Sequence, residues 1–119
     1  MTALTKDRPT PEREGRLVAD PLAAAAVIYA GAMYMLDATG NALPAAPQAA
    51  ATTLVVRAVA RRRAVQAQGD ALTDGATGVF CFDNATAGDA LTRADIGAVC
   101  YALDDATVAK GHDTNKRPK

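Results

Sequence analysis

The apolar residues of this chain come in short pieces, each closed off within a few positions by turn-forming residues, and this limits most strongly what it can fold into. From Ala26 the pieces run AVIY, AMYML and ALP, interrupted by Ala30-Gly31 and by DATGN. Asp37, Gly40 and Asn41 in that last stretch tolerate the positive φ of a tight turn, so AMYML and ALP are expected to pair as a hairpin. A helix over residues 22–36 is the rival reading, because Ala, Leu and Met favour one. Val27, Ile28, Tyr29 and Tyr34 are strand formers, however, and Gly31 sits mid-run, so strands are preferred.

The same choice recurs downstream. TTLVVRAVARRRAV (52–65) alternates partly, with Leu54, Val56, Ala58 and Ala60 on one side and Val55, Arg57, Val59 and Arg61 on the other. Leu54, Ala58, Arg61 and Val65 also fall near a helical spacing, but the strand is preferred. QAQGDALTDGATG, with Gly69, Gly75 and Gly78, is expected to be a loop or hairpin. VFCF (79–82) and GAVCYAL (97–103) are expected strands, and TVA (107–109) a third short one after a DDAT turn. LTRAD between them is a single helical turn with Thr92 as N-cap and Asp95 three residues on.

The expected architecture is therefore mainly β, a small β-barrel or β-sandwich with at most one or two short helical turns. Residues 1–21 hold Pro9, Pro11 and Pro21 and seven charges of alternating sign between Lys6 and Arg16, which marks an extended N-terminal arm. Residues 22–110 form the β-rich body, and 111–119 a polar, basic tail expected to fray. One domain suits 119 residues. Ala fills about a quarter of the positions, only 4% are aromatic and Trp is absent, so the core must be built from small side chains. Since burial stabilises by about 25 cal/mol per Å², an isolated copy is expected to be marginal and to gain from a partner subunit.

Thirteen basic and thirteen acidic residues cancel to zero net charge, which argues against a dedicated nucleic-acid binder. The charges are segregated all the same. Arg57, Arg61, Arg62 and Arg63 cluster mid-chain, whereas seven aspartates between Asp70 and Asp105 face only Arg93. The longest apolar stretch, residues 22–36, is shorter than the roughly 20 residues a bilayer span needs. No membrane partner and no export are expected.

Few groups point to chemistry. Cys81 and Cys100, nineteen positions apart with His112 as the single histidine, lack the close pairing of a zinc site. A disulfide is possible between neighbouring strands but unfavoured in a reducing compartment, so buried, reduced thiols are expected. The chain has no Ser, no phosphate-binding glycine loop and no convergent carboxylates, Asp104 and Asp105 being adjacent and so directed apart. No catalytic, cofactor or metal residues are assigned, and no enzyme is expected.

ALTKDRPTPEREG, IYAGAMYMLDATGNALPA, GVFCF and above all LTRADIGAVCYALDDATVAK together resemble the capsid decoration (cement) proteins of tailed bacteriophages, over most of residues 3–110. The resemblance implies a structural protein on the outer surface of the virion capsid, made in the host cytoplasm. Its partners would be the major capsid protein and neighbouring copies of itself, as trimers. It further implies Gly31 and Gly40 as turn positions and Ala94-Asp95-Ile96-Gly97 as a scaffold turn. It also implies one more valine-rich strand after Lys110. This chain lacks that strand, so a neighbouring subunit covers the last edge of the body or the sequence is incomplete. Lys6, Arg8, Arg13 and Arg16 of the arm, with Arg61, Arg62 and Arg63, are the expected capsid-interface residues. The alternative is a small regulatory or nucleic-acid-binding module that presents Arg57–Arg63 on a helix, with DNA affinity falling steeply in salt.

Overall fold

A computed structural model describes residues 2–119; Met1, the first residue of the expected arm, lies outside the described residues. Ten short strands build the molecule: β1 Leu17–Pro21, β2 Val27–Ile28, β3 Met33–Leu36, β4 Ala42–Pro44, β5 Val56–Ala60, β6 Ala64–Val65, β7 Leu72–Ala76, β8 Asp83–Asn84, β9 Tyr101–Ala102 and β10 Thr107–Ala109. Three single 3-10 turns, at Gln66–Gln68, Ala87–Asp89 and Arg93–Asp95, supply the helical content, one turn more than the sequence suggested. The mainly β expectation holds, and with it the preference for strands over helices at 22–36 and 52–65.

The main sheet has the order β1-β7-β5-β3-β4, antiparallel throughout. It rolls until its two edges meet just past β1. There Leu22 bridges Ala42, the Ala23 N–H donates to the Ala42 carbonyl at 2.9 Å, and the Leu22 N–H donates to the Ala71 carbonyl at 3.0 Å. β2 and β6 form a two-stranded ribbon, Val27 opposite Val65. The second lobe is a three-stranded sheet, β8-β10-β9, whose β8–β10 pair is parallel.

The hairpin expected at DATGN forms between β3 and β4. The Asp37 carboxylate accepts the Thr39 hydroxyl at 2.7 Å and the Thr39 and Asn41 amides at 2.8 and 3.0 Å, while Gly40 takes φ 87°. Those donors, the Thr39 hydroxyl first, hold the Asp37 carboxyl below the usual carboxylate range. Gly31 likewise turns the chain at φ 84°.

Two apolar clusters divide the interior. Inside the rolled sheet Tyr34 and Ile28 pack with Leu22 and a set of alanines at 26, 32, 42, 58, 60 and 64. On the outer face Met33, Ala45 and Ala102 pack with Val56, Val59, Phe82 and Val108, joining the second lobe to the sheet. Strict alternation would put Val56 beside Ala58. A bulge prevents it: Tyr34 pairs with Ala58 and Met35 with Val56, so Arg57 is an extra residue and Val56 joins Val59 on the outer face.

Three segments depart from their expected roles. Leu17–Pro21, expected within the arm, is the edge strand β1, its Val18 and Asp20 turned inward opposite Gly75 and Thr73. Leu72–Ala76, expected within a loop or hairpin, is β7, hydrogen-bonded to both β1 and β5. Its glycine is needed there: a Cβ on Gly75 would collide with Tyr34 Oη and lie 2.9 Å from Ala58 Cβ. The tail does not fray. Its carbonyls accept the amides of Gln48 (from Lys116, 2.8 Å), Thr52 (from Asn115, 2.7 Å), Val56 (from Lys119, 2.6 Å) and Ala102 (from Pro118, 2.9 Å), and Pro118 is buried. The tail straps the 48–56 loop to β9.

Candidate interaction surfaces

The arm, residues 2–16, is exposed along its whole length and carries no strand or helix. The outline is extended, 53 × 42 × 27 Å with a radius of gyration of 16.5 Å, where about 13–14 Å suits a compact chain of this size. Its end is pinned where the Arg16 carbonyl accepts the Thr77 N–H at 2.8 Å. Lys6, Arg8, Arg13 and Arg16 stand exposed with no ion pair among the described residues.

The mid-chain arginines do not act as one cluster. Arg57 reaches back to the buried Asp20, Nε to Oδ2 3.3 Å, and the Tyr34 hydroxyl donates to the same oxygen at 2.7 Å. Burial, reinforced by that bond to a carboxylate, raises the Tyr34 phenol above its ordinary value. Arg62 is matched by Asp74 at 2.7 Å, which raises its pKa in turn. Arg63 lies over the Tyr29 ring, 5.4 Å from its centre. Arg61 alone stays free, and it lines a shallow hollow with Arg13, Leu17, Val18, Ala19 and Asp74. Of the expected contact residues, the structure thus brings together Arg13 and Arg61, leaves Lys6, Arg8 and Arg16 along the arm, and engages Arg62 and Arg63 locally.

A second surface is apolar and was missed in the sequence. VFCF forms no strand: Val79 is 103% exposed, Phe80 41% exposed, and their backbone amides have no backbone partner. Together with Val56, Phe82, Cys100, Tyr101 and Val108 they edge an open groove of about 600 Å³. Ile96 and Val99, 74% and 62% exposed, precede β9 in the chain, Val99 next to the groove-lining Cys100. The available signal was the four consecutive apolar residues of VFCF, since an alternating strand buries only half of such a run and the other half needs a cover.

This corrects the expectation for the cysteines. Both are free, but Cys81 is exposed and Cys100 half-buried, and both line the groove instead of filling strands. Between them the expected helical turn is present with its reciprocal cap. The Thr92 N–H and hydroxyl both donate to Asp95 Oδ2, at 2.8 and 3.1 Å, and Gly97 closes the turn at φ 89°. The Thr92 amide first, with Lys110 at 3.6 Å adding to it, lowers the Asp95 pKa.

His112 is held in place with its ring edge against Tyr101 and its Nδ1 accepting the Asn115 N–H at 3.0 Å. Among the described residues, no three His, Cys, Asp or Glu side chains gather as a metal site. Compared with family models, with curated proteins and with solved structures, the chain matches none.

Proposed function

We propose that the chain is a capsid decoration protein, binding the outer surface of a phage head and bracing contacts between major capsid protein subunits. The observation that carries this reading is the arm: fifteen described residues, all exposed, with four cations free of ion pairs and a fifth, Arg61, beside Arg13 where the arm joins the sheet. Such a segment gains its order by lying along a partner with acidic and backbone acceptors. The β body serves as the anchor, and weak contacts repeated over a lattice sum to firm attachment. The sequence resemblance described above points the same way.

The nucleic-acid module loses its main support. It needed Arg57–Arg63 on one helical face, whereas these residues lie on β5 and the turn after it, with Arg57, Arg62 and Arg63 each engaged within the molecule.

Truncation tests the reading, and the structure sets its limit. Residues 17–21 belong to the sheet, so the deletion is 2–16. The truncated protein is expected to keep its β circular dichroism and thermal transition yet fail to sediment with expanded heads of the phage that encodes it. Undiminished co-sedimentation rules the arm out, and salt-sensitive binding of duplex DNA by the full chain supports the alternative module.

A further inference from the structure

Five non-glycine residues among the described ones take a positive φ, and three of them are consecutive. Asp113, Thr114 and Asn115, at 50°, 51° and 62°, form a left-handed turn in the tail, with a β-branched side chain at its centre. Such a backbone persists only where its surroundings fix it. Three bonds do so here. The His112 carbonyl accepts the Arg117 N–H at 3.2 Å, the Asp113 carbonyl accepts the Lys116 N–H at 3.1 Å, and His112 Nδ1 accepts the Asn115 N–H at 3.0 Å. The first two join backbone groups and are indifferent to mild acid. The third needs a neutral ring, because an imidazolium carries a proton on both nitrogens and accepts nothing.

The strap begins inside this turn. Asn115 is held at its N–H by His112 and at its carbonyl by the Thr52 amide, and the Lys116, Pro118 and Lys119 carbonyls then take the amides of Gln48, Ala102 and Val56. Lys119 ends on the apolar groove, beside Val56, Tyr101 and Ala102. We infer that His112 is a pH-sensitive latch on the tail: neutral, it holds the left-handed turn closed, and protonated, it frees residues 115–119 from the 48–56 loop and β9 and uncovers that side of the groove. The inference goes beyond the decoration reading and does not rest on it.

The surrounding charges give a protonated His112 no new anchor. Tyr101 on β9 faces it with an uncharged ring, 5.7 Å between centres, and residues 48–56 hold no charged side chain. Asp89, on the turn Ala87–Asp89, is engaged by Arg117 at 3.2 Å, and Asp95 by Lys110 at 3.6 Å. Asp113, next to it in the turn, forms no ion pair among the described residues, and Lys116 and Lys119 add positive charge to the same segment. The closed turn binds the neutral ring alone, so protons compete with it. The latch is complete above the range in which histidine side chains titrate, about pH 6.5 in model peptides, and is lost as pH falls through and below that range.

Amide hydrogen exchange of the full chain at pH 7.5 and pH 5, expressed as protection relative to the unstructured rate at each pH, tests the latch. The Thr52, Val56 and Ala102 amides are expected to lose at least about fivefold in protection at the lower pH, the effect of one hydrogen bond, while the β3 amides keep theirs. His112→Asn sets an amide oxygen close to the position of Nδ1 and should retain the protection at both pH values. His112→Ala removes the acceptor and should show the acid level of protection at both. Equal protection of the parent's strap amides at the two pH values overturns the inference. So does a pH response that survives in His112→Asn, which assigns it to another group, or a His112→Ala protein as well protected as the parent at pH 7.5. A loss shared by the β3 amides overturns it too, since acid would then be loosening the whole fold. Heads take no part in the experiment, so its failure leaves the decoration reading untouched.

Discussion

The two lobes use opposite solutions to the same shortage of large side chains. The rolled sheet encloses Tyr34 and Ile28 completely, and the gaps around them are filled by alanines on β4, β5 and β6 and just before β2 and β3. Its one buried charge, Asp20, is satisfied by the Tyr34 hydroxyl and approached by Arg57. The second lobe has strands of two and three residues, encloses little beyond Ala102 and Ala109, and leaves Val79, Phe80, Ile96 and Val99 at the surface. One lobe is finished by its own chain. The other leaves apolar surface for something else to cover, and residues 115–119 are its nearest approach to a closing strand.

Substitutions can break this contrast or sharpen it. Gly75→Ala should do the most damage, because its methyl would meet Tyr34 and Ala58 inside the enclosed lobe. A loss of about 2–3 kcal/mol in denaturant unfolding is expected, and an equal loss from Gly88→Ala, whose Cβ would meet nothing within 4 Å, would contradict the packing argument.

Tyr34→Phe comes next, at about 2 kcal/mol, since it takes the hydroxyl from a buried carboxylate. It should also change the alkaline limb. The folded-state pKa of Tyr34 is raised, so the unfolded chain gives up its phenol proton first. The stability tied to Tyr34 is therefore complete below about pH 10, the unfolded value, and declines as pH climbs beyond it. Unfolding midpoints measured from pH 8 to 11 should fall in the parent and fall less in the variant.

Arg117→Ala removes a nearly buried guanidinium bonded to the Gly111 carbonyl at 2.9 Å and to Asp89 at 3.2 Å. About 1 kcal/mol is expected, read as faster hydrogen exchange of the Ala102 and Val56 amides that the tail holds. Smallest of all is Val79→Asp. Charging a side chain that is already fully exposed should alter stability by less than about 0.5 kcal/mol, and a larger loss would show that the tip is part of the folded core.

The sequence was most legible where structure is local. The DATGN hairpin and the Thr92–Asp95 cap are each set by side chains within five residues of one another, and both are present. It was least legible where a distant partner decides. LTDGA resembles a loop because of Gly75, yet that glycine makes room for Tyr34, forty-one positions earlier. Asp20 looked like one more charge of the arm until Tyr34 and Arg57 met it, and the polar tail has no periodicity because its work is done by carbonyls. The candidate surfaces divide the same way. The arm is visible as a run of prolines and alternating charge, while VFCF reads as a strand because nothing in four consecutive apolar residues shows that they lack cover within their own chain.

Amide hydrogen exchange of the full chain, free and on expanded heads, tests the account most directly. Bound protein should show slowed exchange in residues 2–16 from the shell contact and in the exposed 79–82 run where a partner covers it, with β3 unchanged because it is already enclosed. Exchange in these segments that is as fast on heads as in solution would contradict it.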